Sequence, residues 1–548
     1  MILCMVNLMG YAQIPAFPGA EGFGTNTPGG RGGEVIIVTN LNDSGEGSFR
    51  SAIDAEGPRI VVFETGGIIN LENPILIRNP YITIAGQTAS GDGICLRGNG
   101  IKILTHDVVM RYIRVRPGEI DFGPENNWGS LDAISIGSDK DDRVYNIVLD
   151  HCSLSWGIDE NIGIWGSAHD ITVQYCIISE ALQISKHPKG AHSKGMLIGD
   201  KATNVSVHHN IFAHNHERNP LVNGESMVDI RNNVIYNSGR TAAKILNYEN
   251  VKKSQRVNFV GNYMISGKST INNWELAVLS KNKKGIKIFI ENNLGPNIDE
   301  YTQDNWSLVK DDETQDVVTQ DVRVSQPIPA PQVETYDPAR AYNVVLSDAG
   351  AILPIRDPVD RKVVADIHNR KGEIIHHRAG IFEWPPLEGG ISFLDSDRDG
   401  MPDHWEDEFN LNVLDELDYK RDPDNDGYTN IEEYINGTSP HSSLNENRRE
   451  VKPLSQNFSR LNLQLLQNFP NPFEDFTNII FEISEPANTS LVLMSREGKI
   501  INEIIRGFLY DGRYKIAVDG IGLDPGIYFM VLTSNKATKS IKIIRTGS

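Results

Sequence analysis

Between residues 100 and 270 the polar and apolar positions follow one recurring pattern: usually a polar residue, alternating apolar positions, a Cys or Asn, then more apolar residues. The copies read NIVLDHCSLS from Asn146, DITVQYCIIS from Asp170, NVSVHHNIFA from Asn204, MVDIRNNVIY from Met227 and RVNFVGNYMI from Arg256, with a weaker one, DVVMRYIRVR, from Asp107. A period of two predicts strands. Each copy is a strand, a corner and a second strand, too short to bury its apolar face alone, so the copies must stack. Starts 24, 34, 23 and 29 residues apart, with the excess absorbed by loops, predict a right-handed parallel β-helix in a mainly β protein. The seventh positions are Cys152, Cys176, Asn210, Asn233 and Asn262. Stacked at strand spacing, about 4.8 Å, the asparagines would form an amide ladder at an inward bend. Cys152 and Cys176 would lie one coil apart, within reach of a disulfide; a bridge and a stacked pair of buried thiols both fit.

Other patterns flank this one. Residues 338–370 show helical periodicity interrupted by Gly and Pro, which suits helices packed on the outside or one end of the β-helix. Residues 441–465 are polar and weakly patterned, and read as a linker. From 466 to 548 short alternating runs (FTNIIFEI, TSLVLMS, GIYFMVLTS, SIKIIR) separated by turn residues predict a small antiparallel β-sandwich. Residues 1–12 read as a short signal peptide without a basic start, and no apolar run reaches the length of a membrane span.

Charge changes the picture in one place. The chain of 548 residues carries 52 Lys and Arg against 72 Asp and Glu, a balance that argues against nucleic acid or an anionic membrane as partner. Residues 391–440 alone hold fifteen acids and three bases, which points to a local cation site. Within them Asp395, Asp397, Asp399, Asp403 and Glu406 occupy positions 1, 3, 5, 9 and 12 of a loop with Gly400 at position 6. Asp422, Asp424, Asp426, Asn430 and Glu433 repeat the pattern with Gly427. Calcium takes six to eight hard oxygens, and a twelve-residue loop of this spacing supplies them. Two tandem matches are specific; a structural calcium segment is expected, since nothing suggests a groove to expose.

Against this acidity stands a basic island. Lys186, His187, Lys189, His192 and Lys194 fall within nine residues without an acid, in the longest insertion between repeats. Fixed positive charge in a groove concentrates a polyanion, and a polyuronate is the natural candidate; a solvated charged face is the plainer reading. Arg218 follows about one coil later. Asp132, Asp159 and Glu160 come from adjacent coils and could hold a cation, whereas Asp150 and His151 sit inside a repeat and suit a structural role.

These residues also carry a family resemblance. AFPGAEGFG from Ala16, the GGRGG turn from Gly29, LDHCSLSWGIDE from Leu149, KGMLIG from Lys194 and HERNP from His216 resemble polysaccharide lyase family 1, the pectate lyases, over roughly residues 14–385. The resemblance implies a β-helical catalytic domain, here expected over 13–385, and calcium-dependent β-elimination of a 1,4-linked galacturonan. It implies that Arg218 is the base that removes the C5 proton, that Lys194 contacts the substrate carboxylate, and that Asp132 and Asp159 bind calcium. Lys186, His187, Lys189, His192 and Asn219 are then expected to bind substrate. Two positions depart from the family pattern. Its third calcium acid is Gly163 here, which leaves Glu160 to compensate or calcium to bind only with substrate, and a second arginine is replaced by Asn223. An arginine base is itself awkward, because a guanidinium is normally always protonated; the residues alone would nominate Lys194. The C-terminal unit, with QNFPNPF from Gln467 and GIYFMVLTSNKATKSIKIIR from Gly526, resembles a type IX secretion sorting domain of Bacteroidota. That implies a secreted or surface-attached protein whose tail meets the type IX machinery; a monomer is expected. A β-helical polygalacturonase-like hydrolase and a non-catalytic glycan-binding β-helix are the alternatives.

Overall fold

The computed structural model describes residues 14–442 and 463–546, apart from 121–127, 139–142, 248–253, 281–284, 376–383 and scattered stretches of one to three residues. The expected signal peptide and nearly all of the expected linker lie outside the described residues. The chain divides near residues 444–445 into two compact units.

The first unit is built on three parallel sheets that spiral together. Sheet I has ten strands, from Glu34–Val38 to Ile286–Glu291. Sheet II has nine, from Ile75–Ile77 to Val309–Asp311, and sheet III eight, from Gly67–Asn70 to Tyr263–Ile265. One coil runs from Tyr145–Asp150 in sheet I through Ser153–Ser155 in sheet III and Glu160–Ile164 in sheet II to His169–Gln174, the next strand of sheet I. The parallel β-helix anticipated from the repeats is therefore present, and the register explains the pattern. Ile147, Ile171, Val205, Val228, Val257 and Ile288 stand in one column of sheet I, each paired to the next coil. All are buried, so alternate apolar positions on every coil merge into one continuous core.

The corner between sheets I and III turns on a residue with positive φ: His151, Tyr175, His209 and Asn232 on successive coils. The rings of the first three stack, with centroids 5.1 Å apart for His151 and Tyr175 and 4.8 Å for Tyr175 and His209. The next residue points inward and makes the ladder. Asn210 Nδ2 donates to Asn233 Oδ1 (3.0 Å), Asn233 to Asn262 (2.9 Å), Asn262 to Asn293 (3.0 Å) and Asn293 to Asn305 (3.0 Å). Each rung satisfies one buried amide with the next, so the polar column is tolerated in an apolar core. Cys152 and Cys176 continue it as free buried thiols.

Two helices cover sheet III from outside. Pro338–Asp348 and Pro358–Asn369 each start with proline behind an Asp cap, Asp337 and Asp357. Val345, Val363 and Ile367 pack on Ile177, Ile211 and Val234. The second helix is pinned by Arg116, fully buried, which pairs with Asp357 and, at 2.8 Å, with Asp360. The N-terminal glycine-rich segment climbs the outer face of sheet I. A Cβ on Gly24 would lie 2.3 Å from the Ile147 carbonyl oxygen, and one on Gly30 1.9 Å from that of Arg59, so no side chain fits at either position.

The acidic segment belongs to this unit rather than forming a free spacer. Met401, Trp405, Tyr419, Ile431 and Ile435 pack on Ile60, Val62 and Ala85 of the first coils. Arg31 pairs with Glu432 at 2.8 Å, Arg111 donates to Asn436 Oδ1 at 2.8 Å, and the Tyr428 hydroxyl donates to the Pro15 carbonyl at 3.1 Å. The second unit holds a three-stranded and a four-stranded antiparallel sheet. They share a core that includes Phe473, Phe481, Leu491, Met530 and Ile543, the sandwich expected from the alternating pattern.

Candidate active site and cation-binding loops

The groups nominated from sequence converge where chain leaves sheet III and enters sheet II. Glu160 opens the strand Glu160–Ile164 and pairs in register with Lys194, the first residue of Lys194–Ile198. Lys194 in turn bridges to Glu217 on the following coil. Parallel stacking thus brings Asp132, Glu160, Lys194 and Arg218, spread over 86 residues of chain, onto neighbouring coils. Asp132 Oδ1 accepts the Glu160 amide at 3.0 Å, and Asp132, Asp159 and Glu160 bring one carboxylate oxygen each within 4.8 Å of one another.

This negative cluster is met by the chain's own cations. Arg218 pairs with Glu160, and Lys194 with Glu217. Asp159 Oδ1 lies 2.7 Å from His192 Nε2 and 3.4 Å from His187 Nε2, and the two imidazoles stack with centroids 3.8 Å apart. Burial and the Asp159 charge push Asp132 up to about 7. Burial and Asp132 hold Glu160 well above the usual carboxylate range. Burial would raise Asp159 too, but the His192 hydrogen bond and the two imidazoles bring it below the ordinary value. Burial depresses the Lys194 amine, partly offset by Glu217. Three carboxylates this close ionise together only if a cation joins them.

Several expected substrate contacts are placed elsewhere. The basic island splits: Lys186 and Lys189 are exposed, whereas His187 and His192 are buried against Asp159. His187 Nδ1 accepts the Lys189 amide at 3.1 Å, so its proton sits on Nε2 and faces Asp159. The ring is buried, with Nε2 3.4 Å from Asp159 Oδ1. Asn219 is buried as well. It closes a second short ladder: Asn161 Nδ2 donates to Asn215 Oδ1 (3.3 Å), and Asn215 Nδ2 to Asn219 Oδ1 (3.0 Å). The ladder holds the backbone on either side of Arg218. Gly163 is not open space: a Cβ there would lie 2.7 Å from Asp132 Oδ2. An acid at this position could enter only if Asp132 moved, and Glu160 is the third carboxylate of the cluster.

The tandem loops are a different kind of cluster. Asp395 Oδ1, both Asp397 oxygens, Asp399 Oδ2 and both Glu406 oxygens are buried without a hydrogen-bond donor. In the second loop the same holds for Asp422 Oδ1, Asp424 Oδ2, Asp426 Oδ2, Asn430 Oδ1 and Glu433 Oε2. Unpaired buried oxygens are costly, and a set of hard oxygens with nothing else to satisfy them fits calcium. The segment's three bases turn away, Arg398 toward Glu64, Lys420 toward Glu34 and Arg421 toward Asp415. Burial and neighbouring carboxylates push Asp399 and Glu406 up to about 8, and burial does the same to Glu433. Asp403 alone has both oxygens hydrogen-bonded: they accept the Ser396 amide and hydroxyl, each at 2.7 Å.

Sequence comparison settles the kinship. A probable pectate lyase C of Aspergillus terreus is 36% identical over 438 residues, spanning 79% of this chain and 96% of the relative. The chain belongs to the pectate lyase family. A second probable pectate lyase C, of Emericella nidulans, is 36% identical over 431 residues, 78% of this chain and 93% of the relative. A crystallised pectate lyase of Bacillus sp. N165 bound to trigalacturonate matches with a TM-score of 0.40 at 16% identity, over 61% of this chain and 98% of that one, a likeness too weak to add to the kinship. Residues 467–546 match the secretion system C-terminal sorting domain. This pectate lyase is accordingly secreted or held at the cell surface. Among the described residues no helix is long and apolar enough to cross a membrane.

Proposed function

We propose that this pectate lyase cleaves a 1,4-linked galacturonan by calcium-assisted β-elimination, with Arg218 removing the C5 proton and Lys194 facing the uronate carboxylate. The observation that carries this reading is the convergence of both cations with Asp132, Asp159 and Glu160 on consecutive coils. In the reaction the neutral guanidine form of Arg218 takes the C5 proton, and the electron pair of the C5–H bond passes into the adjoining carboxylate. That pair then forms the C4–C5 double bond as the C4–O bond breaks, and the departing oxygen takes a proton from water. Charge builds on the neighbouring carboxylate as the C5 proton leaves, so fixed positive charge there lowers the barrier. Calcium held by Asp132, Asp159 and Glu160 would supply part of that neutralisation. Lys194 supplies more, and Glu217 holds its amine in place. His187 and His192 keep Asp159 ionised and aimed.

Arg218 is the basic side chain a sugar ring can reach: its side chain is 25% exposed, against 9% for Lys194. A second reading makes Lys194 the base, favoured by the burial that depresses its amine and by the reluctance of guanidinium to release a proton. Hydrolysis is disfavoured, since Glu160 is engaged by Arg218 and Asp159 by His192, leaving no free pair of carboxylates to activate water. The tandem loops take structural calcium, and the tail directs export through the type IX machinery.

The test is ultraviolet absorbance of polygalacturonate treated with the enzyme. Elimination conjugates the new double bond with the carboxylate and absorbance rises, whereas new reducing ends without absorbance would mean hydrolysis. Loss of the signal in Arg218→Ala but its survival in Lys194→Ala supports Arg218 as base; the reverse supports Lys194.

A further inference from the structure

The ninth position of the first loop is weakened as a ligand, because both Asp403 oxygens already accept hydrogen bonds from Ser396. A residue outside both loops stands in the gap. Asp418 opens the short 3₁₀ turn Asp418–Lys420 between the loops, and no motif spacing marks it. Its carboxylate lies with those of Asp399 and Glu406, one oxygen of each within 4.8 Å of the others. Asp399, Glu406 and Asp418 are 2%, 0% and 1% exposed. Asp418 Oδ1 has no donor, nor do Asp399 Oδ2 and the two Glu406 oxygens it faces, while Asp418 Oδ2 accepts the Asn412 amide at 3.3 Å. Three buried carboxylates aimed at one point ionise together when a multivalent cation sits between them, and otherwise hold protons.

Asp418 also reaches the second loop. Its backbone carbonyl accepts Asn430 Nδ2 at 2.9 Å. Asn430 is the ninth residue of the second loop, fully buried, and its Oδ1 is one of that loop's unpaired oxygens. One side chain thus offers oxygen to the second site and grips the backbone that presents Asp418 to the first.

We propose that Asp418 replaces Asp403 as a ligand of the cation in the first loop, and that the Asn430–Asp418 hydrogen bond couples the two sites so that they fill cooperatively. The ligand is a hard, oxygen-seeking cation: calcium, or a lanthanide as its probe. Ordering Asn430 by a cation in the second loop orders the turn bearing Asp418, so the first site binds at lower entropic cost. The proposal rests on the loops taking calcium but not on the lyase chemistry, and its test uses binding alone.

The experiment is calorimetric calcium titration of the full chain, with terbium luminescence sensitised by Trp405, the buried neighbour of Glu406. The wild type should bind at the tandem loops with positive cooperativity. Asp418→Asn should weaken the first site roughly tenfold or more, whereas Asp403→Asn should leave it unchanged. Asn430→Asp keeps an oxygen for the second site but removes the donor; both loop sites should remain, now filling independently. Equal weakening in Asp403→Asn and Asp418→Asn, or wild-type binding in Asp418→Asn, would overturn the ligand assignment. Cooperativity that survives in Asn430→Asp would overturn the coupling, and that variant keeps the question open to decision should Asp418→Asn not fold. A wild-type chain that binds neither ion at the loops would defeat the calcium reading itself, and the proposal with it.

Discussion

Two groups of carboxylates in one compact unit have opposite electrostatic designs. Asp132, Asp159 and Glu160, at the entry to sheet II, are met by Arg218, His187 and His192, with Lys194 and Glu217 beside them. In the tandem loops the buried oxygens have no donor, and the nearby bases pair elsewhere. The first group is met by a cation and two imidazoles of its own chain, and the second has no such partners. If the first serves catalysis and the second stability, as proposed, the difference lies in where the chain places its positive charges.

Removing a countercharge from the sheet II group should have the largest effect. Arg218→Ala is expected to reduce turnover by about 10²–10⁴-fold, the usual worth of a positioned base, with circular dichroism unchanged because the side chain is partly exposed. Near-normal turnover would take it out of the mechanism. Next, Asp159→Ala should raise the calcium needed for half-maximal activity by roughly 10–100-fold; an unchanged calcium titration would place the catalytic metal elsewhere.

Emptying the other group should act on stability. At a calcium concentration a hundredfold above the dissociation constant, each filled site adds about 2.7 kcal/mol, so chelation should lower the melting temperature sharply. Asp424→Ala should remove part of that calcium-dependent increment without changing the rate at saturating calcium. The pH response follows from Asp399, Glu406 and Glu433, which stand at about 8 in the folded chain without cation. Their folded values lie above the unfolded ones, so the chelated protein should lose stability as pH rises from about 4 to 8. Calcium should flatten that slope, and a chelated protein that gained stability over the same range would contradict the burial described. The smallest effect should come from Lys189→Ala, which removes an exposed charge and should raise KM a few-fold while leaving the calcium requirement alone.

Much of this was legible in the residues. The strand repeats announced the coils because stacking forces the same inward position on every turn, and the column from Ile147 to Ile288 is that position. The asparagine ladder was legible too, and it runs on to Asn293 and Asn305 where no copy of the repeat was recognised. The site was only partly so. Its acids and bases could be named, but a charge run does not say which members face water: His187 and His192 turn inward to Asp159, and Lys186 and Lys189 do not. Glu217 escaped notice although it precedes Arg218, because its role comes from the register that sets it beside Lys194. Asp418 had no signal at all, for its function arises from the fold of the segment and not from loop spacing.

The most direct test of the separation is one calcium titration of the chelated enzyme, recording the elimination rate and the melting temperature on the same samples, for the wild type, Asp159→Ala and Asp424→Ala. Two distinct calcium dependences are predicted, with Asp159→Ala shifting only the rate curve and Asp424→Ala only the stability curve. Curves that move together in both variants would mean that the two carboxylate groups serve one metal-dependent event, and would contradict the division of labour.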